Sequence, residues 1–164
     1  LFFMEEHNMA IYTLLEKDNT ALTIPLSGCS KDLDRKELKE NLIETMKNFH
    51  GIGLSANQCG IMERAFVMYS DVKKKEIIAC FNPQIISEGT EMVTMDEGCL
   101  TWPGIWVKVK RPDHIGCTFE DENGDIVVNV EAYVANTEHT ERYPLEDILG
   151  EDTLNYDAEF WVFN

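Results

Sequence analysis

The residues able to do chemistry fall into two short stretches, Gly51-Ile52-Gly53-Leu54-Ser55-Ala56-Asn57-Gln58 and Glu97-Gly98-Cys99-Leu100-Thr101. As a thiolate, Cys99 is a strong ligand for iron or zinc, and Gly98 beside it leaves room for a cleft. Gly51 and Gly53 lack a Cβ, so their backbone can approach an extended peptide closely. Gln58 adds a side-chain amide. Groups of these types can hold a metal and donate hydrogen bonds to a polarised oxygen. Each also has a plainer reading. A lone cysteine is usually a small buried hydrophobe, and a glycine-rich segment after a helix is usually its stop, with Gln58 merely exposed. The four histidines are His7, His50, His114 and His139. No two are four residues apart, so no pair one helical turn apart exists to grip a metal together.

In this order and at this distance, the two stretches resemble two of the three signature motifs of peptide deformylases, the metal-dependent hydrolases that remove the formyl group from nascent N-formylmethionine. Trp102-Pro103-Gly104 and the run Val107 to Pro112 also resemble family sequence, and the resemblance covers about Met9 to Val134. It implies an α+β fold of antiparallel sheets packed around a central or C-terminal helix. It makes Cys99 a metal ligand, Gln58 and the amide of Leu100 the oxyanion donors, and Glu97 a supporting residue. Gly51, Ile52, Gly53, Leu54 and Gly98 line the substrate cleft. The implied metal is ferrous iron, with zinc, nickel or cobalt as substitutes, and the implied substrate is a formylmethionyl peptide made in protein biosynthesis, with transient ribosome contact.

The third family motif, His-Glu-x-x-His, is absent. His139 lies near its expected place, within His139-Thr140-Glu141-Arg142-Tyr143. Aligned on the motif, His139 is a ligand, Thr140 replaces the glutamate and Tyr143 replaces the second histidine. A phenol with a pKa of about 10 is a poor ligand near neutral pH. The resulting expectation is a degenerate active site with impaired deformylase activity, whether through natural divergence of residues 135–164 or a shifted reading frame. Two other readings stay open: an active hydrolase with Cys99, His139 and one acidic residue as ligands, and a protein that binds formyl or methionyl peptides without cleaving them.

Certain elements must position these groups. Leu38, Leu42, Ile43, Met46 and Phe49 recur at helical spacing between Asp34 and His50, with charged residues opposite. Asp34 and Glu37 make a capping pair, and Gly51 and Gly53 end the pattern. Runs with strand character follow at Ala65 to Tyr69, Glu76 to Phe81, Gln84 to Ser87, Glu91 to Met95, Ile105 to Lys110, His114 to Phe119 and Ile126 to Val130. Alternation from Trp106 to Lys110 predicts one buried and one wet face. Asn123-Gly124 predicts a hairpin turn. The three tryptophans are expected to pack. From Glu131 to Asn164 there are nine acidic residues and one basic residue, and Pro144 interrupts any helix through it.

The 164 residues suit one domain, taken as 9–164 after an atypical extension of residues 1–8, since Met9 reads as a natural beginning. A net charge of −16 disfavours direct nucleic-acid binding and anionic membrane surfaces. Five cysteines without a Cys-x-x-Cys pair do not form a disulfide framework. The expected location is a reducing cytoplasm, that of a host cell or an organelle if the source is viral or organellar.

Overall fold

The computed structural model describes residues 9–71 and 74–133. Helix α1 spans Arg35–Asn48, and Asp34 caps it by accepting a hydrogen bond from the Glu37 amide. The stop is made by His50, not by a glycine. His50 has φ 57°, its amide bonds the Lys47 carbonyl, and the Gly51 amide bonds the Met46 carbonyl. That pair of bonds closes the helix with a left-handed residue, a position where histidine replaces the usual glycine.

Strands β1 (Gly53–Ser55), β2 (Ala65–Asp71), β3 (Glu76–Glu88), β6 (His114–Glu120) and β7 (Ile126–Tyr133) form an antiparallel sheet in the order β1-β2-β3-β6-β7. Strands β4 (Met92–Cys99) and β5 (Trp102–Pro112) form a separate antiparallel ribbon. The α+β architecture of antiparallel sheets and a helix is therefore present. No helix among the described residues is long and apolar enough to cross a membrane.

The core lies between α1 and the β1-β2-β3 end of the sheet. Leu38, Leu42 and Met46 meet Leu54, Val67, Ala79 and Phe81 there. Phe49, included in the apolar stripe, is instead exposed. Asn41 and Thr45 are polar yet buried, because Asn41 Oδ1 accepts from the Ala10 amide and Thr45 Oγ1 from the Tyr12 amide, each at 2.8 Å. The chain before the helix is thus strapped onto it through backbone donors that would otherwise be unsatisfied.

Two expected runs, Glu76 to Phe81 and Gln84 to Ser87, are one strand. β3 passes through Asn82-Pro83 with a register shift against β6, and Asn82 holds φ 51°. Its side chain explains why that conformation persists. Asn82 Oδ1 accepts from the Cys29 amide at 2.8 Å and Nδ2 donates to Glu120 at 3.2 Å. At the predicted turn, Asp121 Oδ1 accepts from the Asn123 and Asp125 amides, and these bonds hold the Asp121 carboxyl below its usual range.

The alternation expected from Trp106 to Lys110 does not produce one buried face. Trp106, Val107 and Ile105 are all exposed, since the β4-β5 ribbon has no described element laid over it. Trp102 is likewise partly exposed rather than packed in the core. Trp161, residues 1–8 and the divergent stretch 135–164 lie outside the described residues.

Candidate active site

Folding brings the two sequence stretches into contact. After β1, Ser55 turns the chain into a short 3-10 segment, Ala56–Cys59, and the spacing Ser55 to Gln58 makes a capping box. Gln58 Oε1 accepts from the Ser55 amide at 3.0 Å, and the Ser55 hydroxyl, also 3.0 Å away, shares its one proton between Gln58 Oε1 and Asn57 Oδ1 at 2.8 Å. Its Nε2 then faces the second stretch, donating to Thr101 Oγ1 at 3.1 Å and to Cys99 Sγ at 3.5 Å. Gln58 is 2% exposed, so the exposed Gln58 of the plainer reading is not what forms. The Gln58 carbonyl is also held, by the Leu15 amide at 2.8 Å.

A second contact joins Gly51 to Leu100. A Cβ built on Gly51 would stand 2.6 Å from Leu100 Cδ1, closer than atoms pack, so a side chain there would displace the Leu100 side chain. Ile52 and Leu54 are buried beside it, with Gly53 beginning β1. At Gly98 the approach is looser: a Cβ there would lie 3.0 Å from the Trp106 ring, which would have to give by a few tenths of an ångström. Gly98 and Trp106 are directly opposite in the ribbon. A register shift follows at Cys99, which pairs with Trp102 and so sits at the end of β4, beside the turn through Leu100 and Thr101.

Glu97 is locked. Arg111 Nε reaches its Oε1 at 2.5 Å and Nη2 its Oε2 at 2.7 Å, with the Glu97 side chain 8% exposed. This pairing raises the Arg111 pKa further, chiefly through the hydrogen bonds to Glu97. Arg111 stands opposite Val93, so its extended side chain runs along the ribbon to reach Glu97. The engagement fits a supporting residue, not a free metal ligand.

All five cysteines are free, and burial pushes Cys59 up to about 11 and Cys80 up to about 12, which keeps both as neutral thiols near pH 7. His114 lies against Asp113 at 2.8 Å, and His50 serves the helix stop. Among the described residues no three His, Cys, Asp or Glu side chains converge on one point. Cys99 suits a divalent metal as one thiolate donor beside a buried amide, and His139 lies outside the described residues. The described residues thus supply part of a ligand set.

Sequence reasoning missed Thr101, Ser55, Arg111 and Trp106 as parts of this site. Only Ser55 had a local signal, the Ser-x-x-Gln spacing. The others act across strands, where sequence distance hides the contact.

A sequence model of the family described as Polypeptide deformylase matches residues 12–139. The chain belongs to the peptide deformylase family. A peptide deformylase of Endomicrobium trichonymphae is 42% identical over 90 residues, which cover 55% of this chain and 53% of that relative. That of Thermotoga maritima is 34% identical over 125 residues, 76% of this chain and 74% of the relative. The crystal structure of the Thermotoga maritima peptide deformylase aligns with a TM-score of 0.69 and 30% identity over 85% of this chain and 92% of that one. A Synechococcus elongatus peptide deformylase in complex with actinonin shares the fold, with a TM-score of 0.70 at 24% identity over 85% of this chain and 76% of that one.

Proposed function

We propose that this peptide deformylase family member acts on formylmethionyl peptides by deformylase-type amide hydrolysis, with turnover impaired by the loss of the His-Glu-x-x-His motif. The observation that carries the reading is Gln58 Nε2, buried and aimed at Cys99 Sγ across 41 residues of sequence. Family membership supports the substrate class, and a solved relative is described with Met-Ala-Ser bound.

In this reading the segment Gly51, Ile52, Gly53, Leu54 borders an extended peptide, with Gly98 on the opposite side. None of the three glycines projects a side chain into the space between. Gln58 polarises the formyl oxygen with a side-chain N–H, and the Leu100 amide is the second donor. Because Gln58 is already oriented by Ser55 and Thr101, little reorganisation is needed when charge develops. When bound, a divalent metal supplies the activation of water that amide hydrolysis needs. Cys99 is the donor to it from the described residues, with His139 as the further ligand. The family points to ferrous iron, with zinc, nickel or cobalt as substitutes, and to nascent chains leaving a cytoplasmic or organellar ribosome as the source of substrate. Thr140 at the position of the motif glutamate removes the group that would carry the proton to the leaving amine, a role worth about 10²- to 10⁴-fold in rate.

The test is formate release from formyl-Met-Ala-Ser by anaerobically purified protein, beside Gln58→Ala and Cys99→Ala. Slow release by the parent chain that both substitutions abolish supports the reading. Release unchanged by either one contradicts it. Peptide binding with no release by any of the three proteins favours a binding protein.

A further inference from the structure

The side-chain amide of Gln58 is fully occupied. Its oxygen accepts from the Ser55 amide, beside a Ser55 hydroxyl whose one proton is shared with Asn57 Oδ1 at 2.8 Å, and its nitrogen faces two acceptors, Thr101 Oγ1 at 3.1 Å and Cys99 Sγ at 3.5 Å. This pattern fixes the amide's orientation, because the flipped amide would set its NH2 against the Ser55 backbone N–H. The two nitrogen bonds are unequal. The bond to the hydroxyl has ordinary length, whereas sulfur is a weak acceptor at long range.

We propose that Thr101 is a positioning residue for Gln58. Its hydroxyl holds one amide proton permanently, and so leaves the other pointed at the Cys99 sulfur, from which it is handed to a substrate oxygen. Thr101 is itself buried, in the turn that follows Cys99, so the acceptor is fixed relative to the thiol it helps aim at. Without the hydroxyl, one buried N–H loses its partner, and the amide turns to recover a bond at the expense of its aim. The proposal rests on the reading of Gln58 as an oxyanion donor only for its catalytic consequence. The orientation itself can be tested apart from activity.

The chain contains two glutamines, Gln58 and Gln84. Gln84 is exposed, so ¹⁵N-glutamine labelling gives one buried side-chain amide pair and one internal reference. In the parent chain the Gln58 pair should exchange with solvent far more slowly than the Gln84 pair. Thr101→Val, which keeps the volume and loses the hydroxyl, should shift the Gln58 pair and speed its exchange about tenfold, while Thr101→Ser stays within about twofold of the parent. Where formate release is measurable, Thr101→Val should lower kcat about tenfold with KM nearly unchanged, and Thr101→Ser should restore it. The proposal is overturned if Thr101→Val leaves the Gln58 resonances and their exchange as in the parent, or if Thr101→Ser behaves like Thr101→Val. Absence of turnover in all three proteins bears on the hydrolase reading alone, since the resonances still decide the positioning.

Discussion

Replacing Arg111 by Met leaves the Glu97 carboxylate, 8% exposed, without its two guanidinium bonds of 2.5 and 2.7 Å. Breaking a fully buried ion pair costs about 3 to 5 kcal/mol, because a charge is left without compensation. Arg111 is 29% exposed, so water recovers part of that loss and the expected cost falls to about 2 to 3 kcal/mol. For a domain of this size that is about 5 to 10 °C in Tm. The reverse substitution, Glu97→Gln, removes the charge but keeps an oxygen acceptor for the more exposed partner, and should cost only about 1 kcal/mol. The double variant should recover most of the difference, giving a coupling energy of about 2 kcal/mol. Urea unfolding of the four proteins measures all of these quantities. A coupling below about 0.5 kcal/mol, or a Glu97→Gln cost equal to that of Arg111→Met, would refute the description of Glu97 as a buried charge held by the ribbon.

Two other outcomes follow from the same physical terms. Asn82→Ala loses bonds to the Cys29 amide and Glu120 and keeps an unfavourable φ of 51°, so it should destabilise by about 2 to 3 kcal/mol. Asn82→Gly, which accepts that φ, should be about 1 kcal/mol milder in the same denaturation assay. Cys80 makes a pH-dependent contribution with a definite sign. Burial, aided by Cys117, raises the folded thiol from 9.0 to about 12, so the unfolded chain loses this proton first. The stability contribution is therefore intact below pH 9 and is lost between pH 9 and about 12, at up to about 1.4 kcal/mol per pH unit. Unfolding measured from pH 7 to 10.5 should fall more steeply for the parent chain than for Cys80→Ala, and equal slopes would contradict the assignment.

Much of this structure was legible in the sequence where the determinants are local. The helix from Asp34 and its cap follow from apolar spacing and one side-chain oxygen, and the turn at Asn123-Gly124 follows from its residue types. The contact of the two motifs was legible only through resemblance, since nothing within either stretch encodes its partner. What escaped is non-local. β3 reads as two runs because Asn82-Pro83 looks like a break, yet Cys29, far away in sequence, holds it in the sheet. The burial of Asn41 and Thr45 has no signal within the helix, because the backbone they satisfy belongs to residues 10 and 12. Nothing in the sequence around Arg111 names its partner; the ribbon places Glu97 within its reach. In the same way, the burial expected for Trp106 failed because period alone does not say whether a strand has a layer above it.

The most direct test of the central claim compares this chain with the Thermotoga maritima relative in formate release from formyl-Met-Ala-Ser, each purified anaerobically and with its metal content measured. On the proposed alignment of Thr140 with the proton-carrying glutamate, kcat/KM should be at least about 100-fold lower than that of the relative, and abolished by Gln58→Ala, whose amide contacts Cys99. Stoichiometric metal with kcat/KM within about tenfold of the relative would contradict the account, because the lost proton carrier alone should cost more than that.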